Sequence, residues 1–217
     1  MKKLLLSFAA GGACASALAA PPTLLGLTRA GFGPAHLGES IVVIIDAQRE
    51  YVDGRLPLAG IGPALVQTER LLARARAAGV PIVHVRQVSA AGRGVFEAGG
   101  QLVDFAPQSA PRPGEIVITK QLPNAFAGTS LDWTLRGFGR KSLIVSGYMT
   151  HMCVSATARA ALDLGYQVTV IADACATRDL PDGHGETLDA ETVHRVALAE
   201  LADRFSAVVP TLDRIPD

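Results

Sequence analysis

The sequence predicts an α/β protein: a three-layer, doubly wound sheet of about six mostly parallel strands with helices on both faces. Three observations carry this. Short, nearly uninterrupted aliphatic runs such as IVVIID (41–46), SLIVSG (142–147) and QVTVIAD (167–173) have the length and composition of strands buried on both sides. Segments with helical apolar spacing lie between such runs, the alternation that builds a parallel sheet. The chain has 217 residues, 49% hydrophobic and 18% charged, enough for one substantial core and short for two ordinary domains.

Element by element, residues 20–38 are rich in Gly and Pro and read as an irregular lead-in to a domain spanning 39–217. The first strand is 41–46. Residues 63–78 form a helix, with Pro63 tolerated in its first turn and Gly79 as its stop. PIVHVR (81–86) is the second strand. The Gly- and Pro-rich segment 87–114 is a long loop of the kind that serves as a lid or binding loop. EIVITK (115–120) is the third strand, and 129–139 a short helix capped by Thr129 or Ser130. After the fourth strand (142–147), a helix launched on Cys153 puts Val154, Ala158, Ala161 and Leu162 on one face. Gly165 stops it, and 167–173 is the fifth strand. A polar loop then leads to a helix capped by Asp189, with Val193, Ala197, Leu201 and Phe205 as its buried stripe. AVVPT (207–211) closes the sheet as the sixth strand. No internal repeat or linker divides the domain.

The formal charge is zero, and no basic block exceeds two residues, which argues against nucleic acid and anionic membrane as partners. MKKLLLSFAAGGACASALAA has two lysines, an uncharged apolar stretch and small residues at Ala17 and Ala19, the pattern of a signal peptide over residues 1–19. Cleavage after Ala19 is favoured, since cutting after Ala20 would leave Pro21 as the new terminus. Lipidation at Cys14 is disfavoured by the small residues before it. The reading is an exported protein, periplasmic or secreted, with no membrane attachment after cleavage. Two cysteines remain, Cys153 and Cys175, too few for a disulfide framework.

In an open parallel sheet, ligands bind beyond the carboxyl ends of the strands. Asp46 closes the first strand, Lys120 closes the third, and Cys153 follows the fourth at a helix start. Singly, each has a plain structural reading as a turn residue, a solvated cation or a small core residue. Together on one edge they offer a nucleophile, a cation that with the helix start lowers its pKa, and a proton carrier for the leaving nitrogen. Backbone N–H groups at a helix start supply an oxyanion hole.

The stretch VVIIDAQREYVDG, the lysine before NAFAGTSL, and GYMTHMCV with Thr150 three residues before Cys153 resemble the isochorismatase-like cysteine hydrolases over about residues 39–212. That superfamily includes nicotinamidases, N-carbamoylsarcosine amidases and ureidoacrylate amidohydrolases. The resemblance implies a catalytic set of Asp46, Lys120 and Cys153. It also implies a cis peptide between Tyr148 and Met149, and an oxyanion hole from the backbone N–H groups of Met149 and Cys153. Phe126, Trp133, Thr150 and His151 are candidate pocket residues. The resemblance implies a homo-oligomer as well.

Nicotinamidases carry an Asp-x-His metal motif after the second strand, where this chain reads HVRQVSAAG, so no metal and no cofactor are expected. Asp182 and His184 have the spacing but sit in another loop. The expected activity is cleavage of a C–N bond in a small amide, ureido or carbamoyl substrate through a thioester on Cys153. Three rivals remain: vinyl-ether hydrolysis of the isochorismate type, ligand binding without turnover, and thiol redox chemistry between Cys153 and Cys175.

Overall fold

The computed structural model describes residues 20–28 and 31–217, so the expected leader at 1–19, including Cys14, lies outside the described residues. The strands are β1 (Ser40–Ile45), β2 (Ile82–Gln87), β3 (Ile116–Lys120), β4 (Ser142–Tyr148), β5 (Gln167–Ala176), β6 (Leu180–Pro181), β7 (Thr187–Leu188) and β8 (Ala207–Val209). Six of them form one sheet in the order β3-β2-β1-β4-β5-β8, every neighbouring pair parallel. β6 and β7 make a small antiparallel hairpin. The helices are α1 (Leu24–Leu27), α2 (Ile61–Ala77), α3 (Leu131–Gly137), α4 (Ser155–Asp163) and α5 (Ala190–Arg204).

Side chains alternate across a strand, so β1 feeds two cores. Val42 and Ile44 face α2, meeting Leu65, Leu71, Leu72 and Ala75. Ile41, Val43 and Ile45 face the other layer, where Leu131 and Leu135 of α3, Ala158 and Ala161 of α4, and Leu198 and Leu201 of α5 pack. Each such aliphatic side chain, buried from water, contributes about 1.5–3 kcal/mol. This is the expected three-layer arrangement. The helix stops also act as expected: Gly79 and Gly165 adopt left-handed φ values of 64° and 84° just past α2 and α4. The Asp189 carboxylate accepts the Thr192 N–H at 2.8 Å at the start of α5.

Several boundaries differ from the sequence reading. The lead-in holds a turn of helix, α1, whose Leu24 N–H donates to Asp203 on α5. β5 runs on through Cys175 to Ala176, past a register irregularity against β4, because its end still finds a partner at Gly147 and Tyr148. Ser130 precedes α3 without a side-chain cap; Thr129 Oγ1 accepts the Leu131 N–H instead. Phe205 and Leu162 are only half-buried. Among the described residues, no helix is long and apolar enough to cross a membrane.

The sheet is tightest beside the future site. Gly147 has φ 136°, and a Cβ placed there would lie 2.0 Å from the carbonyl oxygen of Ile45 on β1. Only glycine fits that approach. Gly147→Ala must push two central strands apart and is expected to cost about 3 kcal/mol or more. A urea denaturation midpoint within error of the parent would refute this.

Candidate active site

Strand order reverses between β1 and β4: the chain builds outward from β1 through β2 to β3, then returns to lay β4 on the other side of β1. A crevice at such a switch point, beyond the carboxyl ends of the strands, is where open sheets place ligands. Asp46 leaves β1 there with φ 50°, a left-handed conformation that Asp tolerates better than most residues. Its own N–H donates to Val85 on β2, which fixes the turn. On the far side, β4 ends at Tyr148, the Tyr148–Met149 peptide is cis, and Thr150–Val154 form a single π-helical turn before α4. Cys153 therefore sits inside that turn rather than at the first residue of the α-helix. The Met149 carbonyl anchors the turn by accepting from both Met152 and Val154.

Lys120 ends β3, two strands from β1, a gap of about 10 Å that its long side chain crosses over the end of β2. Its ammonium lies 2.7 Å from Asp46 Oδ2 and donates to Cys153 Sγ at 3.3 Å. The three expected residues thus meet in one place, and all three are buried: Asp46 0%, Lys120 1% and Cys153 4% exposed.

A fourth residue, absent from the sequence reading, completes the set. Gln87 ends β2 beside Lys120 in register and accepts from the ammonium at 2.7 Å through Oε1. A lysine ammonium has three N–H groups. Gln87 and Cys153 each accept a hydrogen bond from it and Asp46 pairs with it by charge, so the ammonium is held from three sides. Gln87 is held in turn by Gln48, which donates to the Gln87 and Val103 carbonyls and accepts from the Gln87 N–H. The available signal was a polar residue at the carboxyl end of an otherwise buried strand. Gln87→Leu strips a buried ammonium of one acceptor and is expected to lower stability by about 1–3 kcal/mol, read by denaturant unfolding.

The long loop after β2 is fastened over Asp46. Ser109 Oγ and the Ala106 N–H both donate to the Ala47 carbonyl, and the Phe96 N–H donates to the buried Glu50 carboxylate. Short 3-10 turns at Gln101–Val103 and Pro107–Ser109 stiffen it. A cleft of about 290 Å³ lined by Val88, Ser89, Ala90, Arg93 and Gln121 opens beside the end of β3.

Burial dominates the electrostatics. It raises the Asp46 pKa, against the pull of Lys120. The Cys153 thiol is pushed up to about 12, first by burial and then by the Asp46 charge, with Lys120 opposing. This reverses the expectation of a thiol lowered by a helix start and a cation. Water exclusion and a neighbouring carboxylate outweigh one ammonium. Neither Asp46 oxygen makes a well-aligned hydrogen bond; Lys120 holds it by charge, so its lone pairs remain open to a proton. The resting arrangement is a neutral thiol beside a proton acceptor.

Two of the four candidate pocket residues, Thr150 and His151, share the π-turn with Cys153, and the other two lie in or just before α3. Trp133 is 81% exposed, on the outer side of α3. Phe126 stacks on Tyr166 in the second core. Thr150 is buried behind the turn, donating to the Ala176 carbonyl and contacting His194 Nδ1 at 2.9 Å. His151 contacts Thr177 and lines a shallow groove with Leu180, Leu188 and Val196. Helical or loop position alone does not reveal which way a side chain turns. Cys153 and Cys175 are free thiols; Cys175 lies within β5, and burial pushes it up to about 12. Asp182 accepts the N–H groups of His184 and Glu186 and so closes the β6–β7 hairpin.

A parallel sheet with a thiol, an ammonium and a carboxylate converging at its switch point is the arrangement a cysteine hydrolase would need. Residues 40–213 match the isochorismatase domain model. The chain belongs to the isochorismatase family. It is 41% identical over 179 residues to the secreted isochorismatase effector Isc1 of Verticillium dahliae, covering 82% of this chain and 92% of that one. It is 30% identical over 172 residues to the ureidoacrylate amidohydrolase RutB of Pseudomonas savastanoi pv. phaseolicola, covering 63% of this chain and 70% of the relative. Among solved structures, an isochorismatase from Pseudomonas putida KT2440 superposes with a TM-score of 0.86 at 43% identity, covering 90% of this chain and all of that one.

Proposed function

We propose that this hydrolase cleaves the C–N bond of a small amide, ureido or carbamoyl substrate through a thioester on Cys153. The observation that carries the reading is the buried contact of Lys120 Nζ with both Asp46 and Cys153. Asp46 takes the thiol proton as sulfur bonds to the carbonyl carbon, and the oxygen's negative charge falls to the backbone N–H groups of Met149 and Cys153. Asp46 then gives its proton to the nitrogen as the C–N bond breaks, releasing the amine or ammonia. Water attacks the thioester, Asp46 accepts its proton, and the departing sulfur recovers that proton as thiol. Lys120 holds the Asp46 charge and steadies the sulfur.

A vinyl-ether substrate would need a proton donor but no nucleophile, whereas a thiol fixed by an ammonium favours attack at a carbonyl. That an amidohydrolase is among the relatives supports the same side. The test is rapid quenching with a panel of small amides, ureas and carbamates, followed by intact mass analysis. An acyl adduct on the Cys153 peptide that forms and decays at the turnover rate supports the proposal; turnover without any adduct sinks it.

Export and self-association belong to the same proposal. The leader-like first residues and the secreted Verticillium relative support export, and the N-terminal mass of the mature chain reads it. The family resemblance supports a homo-oligomer, which sedimentation velocity reads directly.

A further inference from the structure

Gln48 is fully buried, two residues past Asp46. β1 leaves the sheet before β2 does: Ile45 pairs with Val85, the Asp46 N–H donates to Val85, and the chain then turns away. The Gln87 peptide at the end of β2 therefore has no strand on its β1 side. The side-chain amide of Gln48 stands in for one. Its Oε1 accepts the Gln87 N–H at 2.8 Å, and its Nε2 donates to the Gln87 carbonyl at 2.9 Å. Nε2 also donates to the Val103 carbonyl at 2.7 Å, in the long loop, which commits both N–H groups of the amide.

The main chain of Gln48 is fastened to the same loop. It bridges Phe105, flanked by the Arg49 N–H on the Asp104 carbonyl and the Ala106 N–H on the Ala47 carbonyl, both at 2.9 Å. Gln48 thus joins the turn that carries Asp46, the end of β2 and the long loop.

What this fastening holds in place is an acceptor. Gln87 Oε1 takes its hydrogen bond from Lys120 Nζ at 2.7 Å, while Asp46 Oδ2 lies 2.7 Å and Cys153 Sγ 3.3 Å from the same ammonium. Of the two oxygen partners Asp46 bears the charge and attracts more strongly. Once Gln87 is no longer fixed, the ammonium settles onto the carboxylate. The sulfur, already the farthest of the three, loses it first.

We infer that Gln48 is a positioning residue for Cys153: it takes the place of a missing strand, fixes Gln87, and through Gln87 keeps the Lys120 ammonium within reach of the sulfur. This rests on the reading of Cys153 as a nucleophile supported by Lys120. It needs nothing of the substrate, because reactivity is read by alkylation rather than turnover.

The test is the iodoacetamide rate of Cys153 at pH 8 in the full chain carrying Gln48→Met, with Cys175 resolved by peptide mass analysis. Methionine keeps the length of the side chain and removes its polar ends. The sign of the change separates positioning from scaffolding. Lys120 opposes the burial that raises the thiol, so an ammonium drawn away leaves less thiolate. Alkylation is then expected to slow, by about threefold for each tenfold fall in thiolate. A loop that is merely loosened admits water to the site and quickens it. Gln87→Leu, which leaves Gln48 and its backbone bonds in place, is expected to slow the reaction by a similar factor, and Gln48→Met added to it should slow it no further. Unchanged or faster alkylation in Gln48→Met overturns the inference, and so does a further loss in the double variant. Where Gln48→Met is too unstable to assay, Gln87→Leu decides: a lower rate supports the link, and an unmoved one leaves Gln48 nothing to act through. Lys120→Met tells the two levels apart. If it slows alkylation while Gln48→Met does not, only the role of Gln48 falls; if it leaves the rate unmoved, the support of Cys153 by Lys120 falls as well.

Discussion

Cys153→Ala is expected to lower hydrolysis of amide or ureido substrates by at least about 10⁴-fold, the scale on which a nucleophile and its proton acceptor fail together when one is removed. Its neighbours would survive the change. The replacement removes one sulfur from a site at the rim of the second core, and the Asp46–Lys120 ion pair and the Gln87 bond to Lys120 do not depend on it. A loss of activity with an unaltered unfolding transition therefore reports on chemistry. The same variant separates the two hydrolase readings. A vinyl-ether hydrolase protonates carbon and needs no thiol, so near-parental turnover in Cys153→Ala would move the assignment there. Substrate binding should be retained, because an alanine leaves the carbonyl-binding backbone in place; a change confined to KM would point to Cys153 as a wall residue only.

The parts of this site that the sequence exposed share a cause, and so do the parts it hid. Asp46 and Lys120 end aliphatic runs at the carboxyl edge, so strand position alone brings both to the switch point. Cys153 follows a strand by a few residues and arrives there by the same logic. Gln87 obeys that rule too, but nothing in a lone glutamine announces that a lysine from the next strand will lie across it. Trp133 and Phe126 show the converse. Both belong to one short segment near α3, yet one stacks on Tyr166 and the other stands in solvent, a difference set by which face of the segment meets the sheet. The direction of the Cys153 pKa was equally out of reach. A helix start and a cation are visible in one dimension, while the burial that outweighs them comes from the packing of Cys153 into the second core.

Asp46→Asn should divide the reactivity of Cys153 from its catalysis. In the folded protein the Asp46 charge is one of the forces raising the thiol, after burial, so removing it lowers the Cys153 pKa from its value of about 12. Below that pKa, each unit of decrease raises the thiolate fraction about tenfold, while the sulfur's intrinsic nucleophilicity falls by about threefold. Alkylation by iodoacetamide at pH 8 should thus quicken by about threefold per unit. Turnover should move the other way and fall by at least about 10³-fold, because the asparagine cannot carry a proton from sulfur to nitrogen. Lys120→Met has the opposite sign on the thiol: losing the cation raises its pKa further and slows alkylation. It also leaves Asp46 buried without its partner, at a cost of about 3–5 kcal/mol unless the carboxyl takes up a proton. If Asp46→Asn slowed alkylation and turnover in parallel, Asp46 would be holding the thiol in place rather than accepting its proton. The open lone pairs of its carboxylate would then need another explanation.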